Sequence, residues 1–323
     1  AEAVRAPDAA TDARQTHTHT RSPPTMAVHA VWLSVLAMIV GQPRISTRTR
    51  PIVCQFGVAV SELDKKYDVE ALAQRMGDAD RQALLRALIA EKDADAAEAA
   101  LKRVAQWRSG EGKPTVDAAA TGIAAALASG QWDNNKLNAA APHADKIAPY
   151  LGASQIQTLS SKDGAWLIYV IRAGAIDDGK LMSQVTKEEL AEYFAFVKEV
   201  HSHVANMRTE AGGKLVGVVT VNDLSGVNLF GSSAFRDALS LSSKTAAPLY
   251  PGLAGPTILL NLPPLLNALV KLFKPLFPPV VAARIKFEQG PLSKVKDLAE
   301  LLPNSPENTI RNQFLDDVAQ MVK

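Results

Sequence analysis

The 323-residue sequence predicts an α/β fold with a mainly parallel sheet, preceded by a small all-helical N-terminal module. Three observations predict it. Residues 166–172, 214–221 and 257–261 are β-rich apolar runs, with 284–287 as a fourth, and helical stretches separate them. Each run is continuously apolar rather than alternating, the pattern of strands buried on both faces. Ahead of the first run, residues 78–110 carry helical spacing alone.

The chain begins with a segment kept apart from the fold. From Ala13 to Ser61 there is no Asp or Glu, and Arg, Ser and Thr are frequent. Within it, AVHAVWLSVLAMIV (27–40) is short for a membrane span but suits the apolar core of a signal peptide. An Arg- and Thr-rich stretch, RISTRTR, follows. This order resembles the bipartite presequence of algae whose plastids are reached through the secretory route, so residues 1–58 are expected to be a leader and the protein chloroplast-located. The other readings are a plain secretory signal, or a true start at Met26 that leaves the protein in the cytoplasm.

Charge excludes one class of partner. The chain holds 35 Lys and Arg against 33 Asp and Glu, a net charge of +2. Residues 1–50 take six of the basic and three of the acidic residues, leaving 29 against 30 beyond them. A body so balanced has no basic face for neutralising phosphates, and no nucleic-acid partner is expected. Cys54 is the one cysteine, which rules out an internal disulfide and a cysteine-rich metal site.

Element by element, residues 59–112 read as the helical module. Leu84 and Leu88, Leu85 and Ile89 pair four apart, and Ala97, Leu101 and Val104 continue the stripe after an acidic break. The result is a helical hairpin closed by Gly110 and Gly112. Residues 113–160, Ala-rich with scattered Asn, Pro and Gly, read as a linker of short helices and loops. Then 161–303 form the α/β domain. Between its first two strands lies a helix opened by the capping box Thr186 to Glu189, with Leu190, Phe194, Val197, His201 and Val204 at four and three spacing. A Ser- and Ala-rich helix near 233–247 joins the second and third strands. Residues 304–323 read as a C-terminal helix.

The segment after the third strand is unusual. Between Pro264 and Pro278, the polar residues Asn267, Lys271 and Lys274 make one narrow stripe. Leu265, Leu269, Leu272 and Leu276 form an apolar stripe, and Leu266, Val270, Phe273 and Phe277 form a second. A surface helix buries one such stripe, so two imply a second apolar neighbour.

Several stretches in one order resemble the CRAL-TRIO lipid-binding family. LLRALIAEKDADAAEAALKRVAQWR (84–108) is similar to its N-terminal helical hairpin, which ends in Trp-Arg. KDGAWLIYVIRAGAID (162–177) resembles its first strand, VVTVNDLSGV (218–227) its central strand and turn, and YPGLAGPTILLNLP (250–263) its Tyr-Pro…Asn-x-Pro stretch. The resemblance implies helices enclosing an apolar pocket, with the two-striped segment as a movable gate. It implies a lipid ligand, either a phospholipid, a sterol- or tocopherol-like lipid, or a carotenoid, and no enzyme activity or cofactor beyond bound lipid. It makes Tyr169, Val221, Leu259, Asn261, Leu265, Leu269, Val270, Phe273, Phe277 and Arg284 the expected lipid-binding residues. Leu266, Lys271 and Lys274 are expected to face a transient membrane surface. Gly252 stands where phosphatidylinositol-binding members carry Glu, and the hairpin lacks their Arg-rich run, so inositol lipids are not specifically indicated. A non-catalytic subunit docking on a membrane protein complex is the alternative reading.

Other motifs carry less. Gly174 to Lys180 fits GxxxxGK after a strand, but Leu181 replaces the Ser or Thr that reaches Mg²⁺ and Asp177 and Asp178 oppose phosphate. His201 and His203, two apart on a helix, point in different directions and do not suit one metal, and His201 on the apolar stripe reads as a packed core residue; no metal site is expected.

Overall fold

The computed structural model describes residues 56–77, 79–91, 93–228, 231–264, 285–288, 290 and 292–322. Four helices, α1 (Val60–Lys66), α2 (Val69–Met76), α3 (Arg81–Glu91) and α4 (Ala94–Ser109), make the N-terminal module. The hairpin expected at 84–108 is α3 and α4, and Asp93 caps α4 by accepting from the amides of Asp95 and Ala96. Then come α5 (Lys113–Leu127), α6 (Asn134–Ala139) and α7 (Ala144–Leu151).

The next element corrects the sequence reading, because residues 155–160 are a strand, β1 (Gln155–Ser160), not part of a helical linker. It runs antiparallel to β2 (Trp166–Arg172) at one edge of the sheet. Helix α8 (Asp178–Gln184) and the 26-residue α9 (Lys187–Gly212) lead to β3 (Gly217–Asp223). Helix α10 (Ser233–Ala246) leads to β4 (Ala254–Leu260), and β5 (Ile285–Glu288) and α11 (Thr309–Met321) complete the described elements. The capping box of α9 is formed as the sequence indicates: Thr186 Oγ1 accepts from the Glu189 amide and Glu189 returns to the Thr186 amide. At the other end Gly213, with φ of 64°, closes the helix in a left-handed turn. Residues 214 and 215, expected to open the second strand, instead pair with residues 57–59, and the Val216 amide donates to Thr209 Oγ1.

The sheet order is β1-β2-β3-β4-β5, with β2 to β5 parallel. Parallel strands laid down one beside the next by right-handed crossovers carry every connection to the same face. Helices α9 and α10 accordingly pack on one face, against Leu167, Tyr169, Val216 and Val218. The opposite face, built from Ile168, Val170, Val219, Val221, Ile258 and Leu260, is covered by the N-terminal module and α11, through Leu84, Leu85, Leu88, Leu101, Phe314 and Val318. Both faces are therefore covered, by different parts of the chain.

Candidate functional site

Along the strands, side chains alternate between the two faces. On the crossover face this brings Tyr169 and Ile171 of β2, Val218, Thr220 and Asn222 of β3, and Thr257 of β4 to one surface. Helices α9 and α10 span that surface without filling it. A cavity of about 140 Å³ remains, roofed by Phe194 and Lys198 of α9 and by Leu239, Ser242, Ser243 and Ala246 of α10, and closed at one end by Tyr250 and Leu253. This volume matches an engineered apolar cavity that admits one benzene ring. A complete lipid therefore needs the walls to move.

The expected site residues do not all meet here. Tyr169 lines the cavity with its ring, while its hydroxyl donates to Gln155 Oε1 at 2.7 Å, turned into the protein. His201 packs against that ring, centroids 4.9 Å apart, and burial holds its imidazole well below the usual histidine range. Leu259 shares the cavity face by register, opposite Asn222, one step beyond Thr257. Val221 is a correction. It is one residue out of phase with Thr220 and lies in the core of the opposite face. Asn261 also sits elsewhere: it adopts φ of 53°, its Nδ2 donates to Asp223 Oδ1, and its Oδ1 accepts from the Gly290 amide, each at 3.0 Å. It thus ties together the end of β3, the end of β4 and the chain beyond β5. Residues Leu265, Leu266, Leu269, Val270, Lys271, Phe273, Lys274, Phe277 and Arg284 lie outside the described residues.

Asp223, which accepts from Asn261, begins the Asp-Leu-Ser-Gly turn at the end of β3. Burial works to raise its pKa. Hydrogen bonds from Asn261 and Ser225 and the charge of Arg172 outweigh burial and hold the carboxyl below the ordinary aspartate value.

The residues that carried the likeness in the N-terminal hairpin act as fasteners. Arg86, only 2% exposed, donates to the Val216 carbonyl at 3.0 Å and to Asn206 Oδ1, joining α3 to the start of β3 and to α9. Burial brings its pKa down to about 10. Arg108 pairs with the buried Glu199 at 3.0 Å, and Trp107 meets the ring of Tyr250 edge-on. Gly252 has φ of 67°, and a Cβ there would lie 2.3 Å from the Arg86 carbonyl oxygen. The position that differs from the inositol-lipid pattern is thus one where the backbone approach admits no side chain.

Two motifs resolve as structural. Asp177 accepts from the Lys180 amide at 3.1 Å and pairs with Lys180 Nζ at 2.9 Å, so a carboxylate occupies the place a phosphate would take in GxxxxGK. His203 pairs with Glu199 rather than with His201. Among the described residues no group of three or more His, Cys, Asp or Glu is placed to hold a metal, and no helix is long and apolar enough to cross a membrane.

A sequentially ordered parallel sheet, with a cavity under its crossover helices and a helical module fastened to its back, is the arrangement these elements define. The CRAL/TRIO domain profile matches residues 162–305, so this part of the chain is a CRAL/TRIO domain. CRAL-TRIO domains generally bind or transfer lipophilic ligands, and members of the family are typically non-catalytic. No characterised protein in the curated comparison matches the chain.

Sequence reasoning missed most of the cavity floor. A signal was present in Thr220, the one polar residue inside VVTV. Lys198, on a helix rich in charged residues, gave none.

Proposed function

We propose that the chain binds a hydrophobic lipid in the cavity under α9 and α10 and transfers or presents it at membranes, without catalysing a reaction and with no cofactor but the lipid. The observation that carries this reading is the cavity itself: apolar side chains form most of its walls, and it occupies the crossover face of a CRAL/TRIO domain. The gate is the segment between Pro264 and Pro278, whose two apolar stripes suit the ligand on one side and a transient membrane surface on the other. Energetics favour such a device. At about 0.8 kcal/mol per CH₂, a C16 chain costs on the order of 13 kcal/mol to expose to water, so release is directed into a bilayer. In this reading Asn261 serves as the hinge clamp, and the leader directs the protein to an algal plastid.

The test is transfer of a fluorescent phospholipid or tocopherol analogue between vesicles by the full chain, beside two variants. Ala246→Phe fills the cavity from α10, and Leu269→Asp places a charge on the gate. Both variants are expected to keep the wild-type melting temperature within a few degrees and to lose uptake. Unchanged uptake in Ala246→Phe contradicts the cavity, and unchanged uptake in Leu269→Asp contradicts the gate. A tight stoichiometric membrane-protein partner with no bound lipid would favour a docking subunit instead.

A further inference from the structure

Lys198 is out of character with the cavity it lines. Among the described lining residues it carries the one formal charge, and none of them is acidic. Its neighbour in sequence, Glu199, is turned away and engaged by Arg108 and His203. Among the described residues Lys198 makes no ion pair and no hydrogen bond. Burial lowers the pKa of its ammonium. A partly buried ammonium with no partner costs some stability, and a methionine of similar length would not.

The polar atoms that face the same space are equally unengaged. Thr220 and Thr257 stand side by side on adjacent strands of the floor, and Ser242 and Ser243 face them from α10. With Asn222 these side chains likewise make no hydrogen bond among the described residues. One ammonium, four hydroxyls and an amide, with no carboxylate among them, form a donor-rich set. A few convergent polar groups in an otherwise apolar pocket are what fixes a ligand's orientation. This set complements an acceptor-rich anion and offers nothing to a cationic head group or a pure hydrocarbon.

We infer that the ligand is an amphiphile whose anionic head group, a carboxylate or a phosphate monoester, is held inside the cavity by Lys198 over the Thr220 and Thr257 hydroxyls. This rests on the lipid-binding reading above. It selects within the lipophilic class, since a carotenoid hydrocarbon or an uncharged sterol leaves the ammonium unpaired.

A matched pair of probes tests it. The full chain, stripped of lipid, is titrated with 12-(9-anthroyloxy)stearic acid and with its methyl ester, which differ only in the charge of the head. The acid is expected to bind about tenfold more tightly than the ester. In Lys198→Met the acid falls to the level of the ester while the ester is unchanged, and Lys198→Arg restores part of the preference. Lysophosphatidic acid is expected to displace the acid, and inorganic phosphate at the same concentration is not; displacement by phosphate alone would reduce the site to a free-anion site and overturn the amphiphile. Equal binding of acid and ester by the wild type, or an unchanged preference in Lys198→Met, overturns the inference while leaving lipid binding intact. Binding of neither probe overturns lipid binding and the inference together. Ligand-free Lys198→Met is expected to melt no lower than the wild type, which separates lost recognition from lost folding.

Discussion

The two faces of the sheet share the same strands and differ in what one-residue alternation gives them. On the back, Val219, Val221, Ile258 and Leu260 meet the N-terminal module and α11 in an apolar core. On the crossover face, Val218, Thr220 and Thr257 line a cavity with unengaged hydroxyls and an ammonium above them. The back face holds the fold together, while the crossover face keeps space and donors at some cost in stability. Thr220 and Val221 are adjacent in sequence and nearly equal in shape, yet belong to different tasks.

The largest expected effect lies on the back face. Leu85, fully buried there, is expected to cost about 3 kcal/mol on truncation to Ala, through lost burial and the cavity left behind. Urea denaturation checks it, and a cost below about 1 kcal/mol would break the distinction between the faces.

Next is the fastening between module and domain. Arg108→Met leaves the Glu199 carboxylate buried without its guanidinium partner, and about 2 kcal/mol is expected at neutral pH, less than for a fully buried pair because Arg108 is partly exposed. The pH dependence gives its signature. In the wild type burial works to raise the Glu199 pKa, but the His203 hydrogen bond and the charges of Arg108 and His203 outweigh it and depress the value. A depressed carboxyl contributes stability above its ordinary pKa and loses it as pH falls through the folded value. Without Arg108 the burial contribution gains weight and the folded pKa rises. The deficit of Arg108→Met is therefore expected to shrink between pH 7 and pH 5, as thermal melting at the two values can read. A deficit that grows on acidification would mean Arg108 does not hold that charge.

The smallest effects are the sharpest comparison. Val221→Thr puts a hydroxyl into the back core, with an expected cost of about 1–2 kcal/mol, whereas Thr220→Val removes one from the cavity and is expected to change stability by less than about 0.5 kcal/mol. Equal costs for the two substitutions would mean that the faces do not differ as described.

How much of this the sequence exposed follows from the same alternation. Helices α3 and α4 were legible from their apolar spacing and the glycines that close the pair, and α9 from its capping box and apolar spacing. The parallel strands were legible as apolar runs, but a run buried on both sides does not reveal which residues face which way, and so Val221 was assigned to the pocket in place of Thr220. Strand β1 was hidden because its polar side chains point into a buried network: Gln155 meets Tyr169 and Tyr193, and Gln157 donates to Asn138. A strand that carries Gln155, Gln157 and Thr158 into the interior reads in sequence as a loop. Asn261 was expected in the lipid site, but its hydrogen bonds to Asp223 and Gly290 make it a clamp. Lys198 was missed because a lysine on an amphipathic helix ordinarily marks the solvated side, and only the packing of α9 against the sheet shows that it does not.

On the proposed function, the cavity on the crossover face holds a lipid. The most direct measurement of this is organic extraction of the full chain purified under mild conditions, followed by mass spectrometry. The account predicts one co-purifying amphiphile class, near one molecule per chain, that is absent from Ala246→Phe. A clean extract from the wild type, or the same lipids in equal amount from Ala246→Phe, would contradict it.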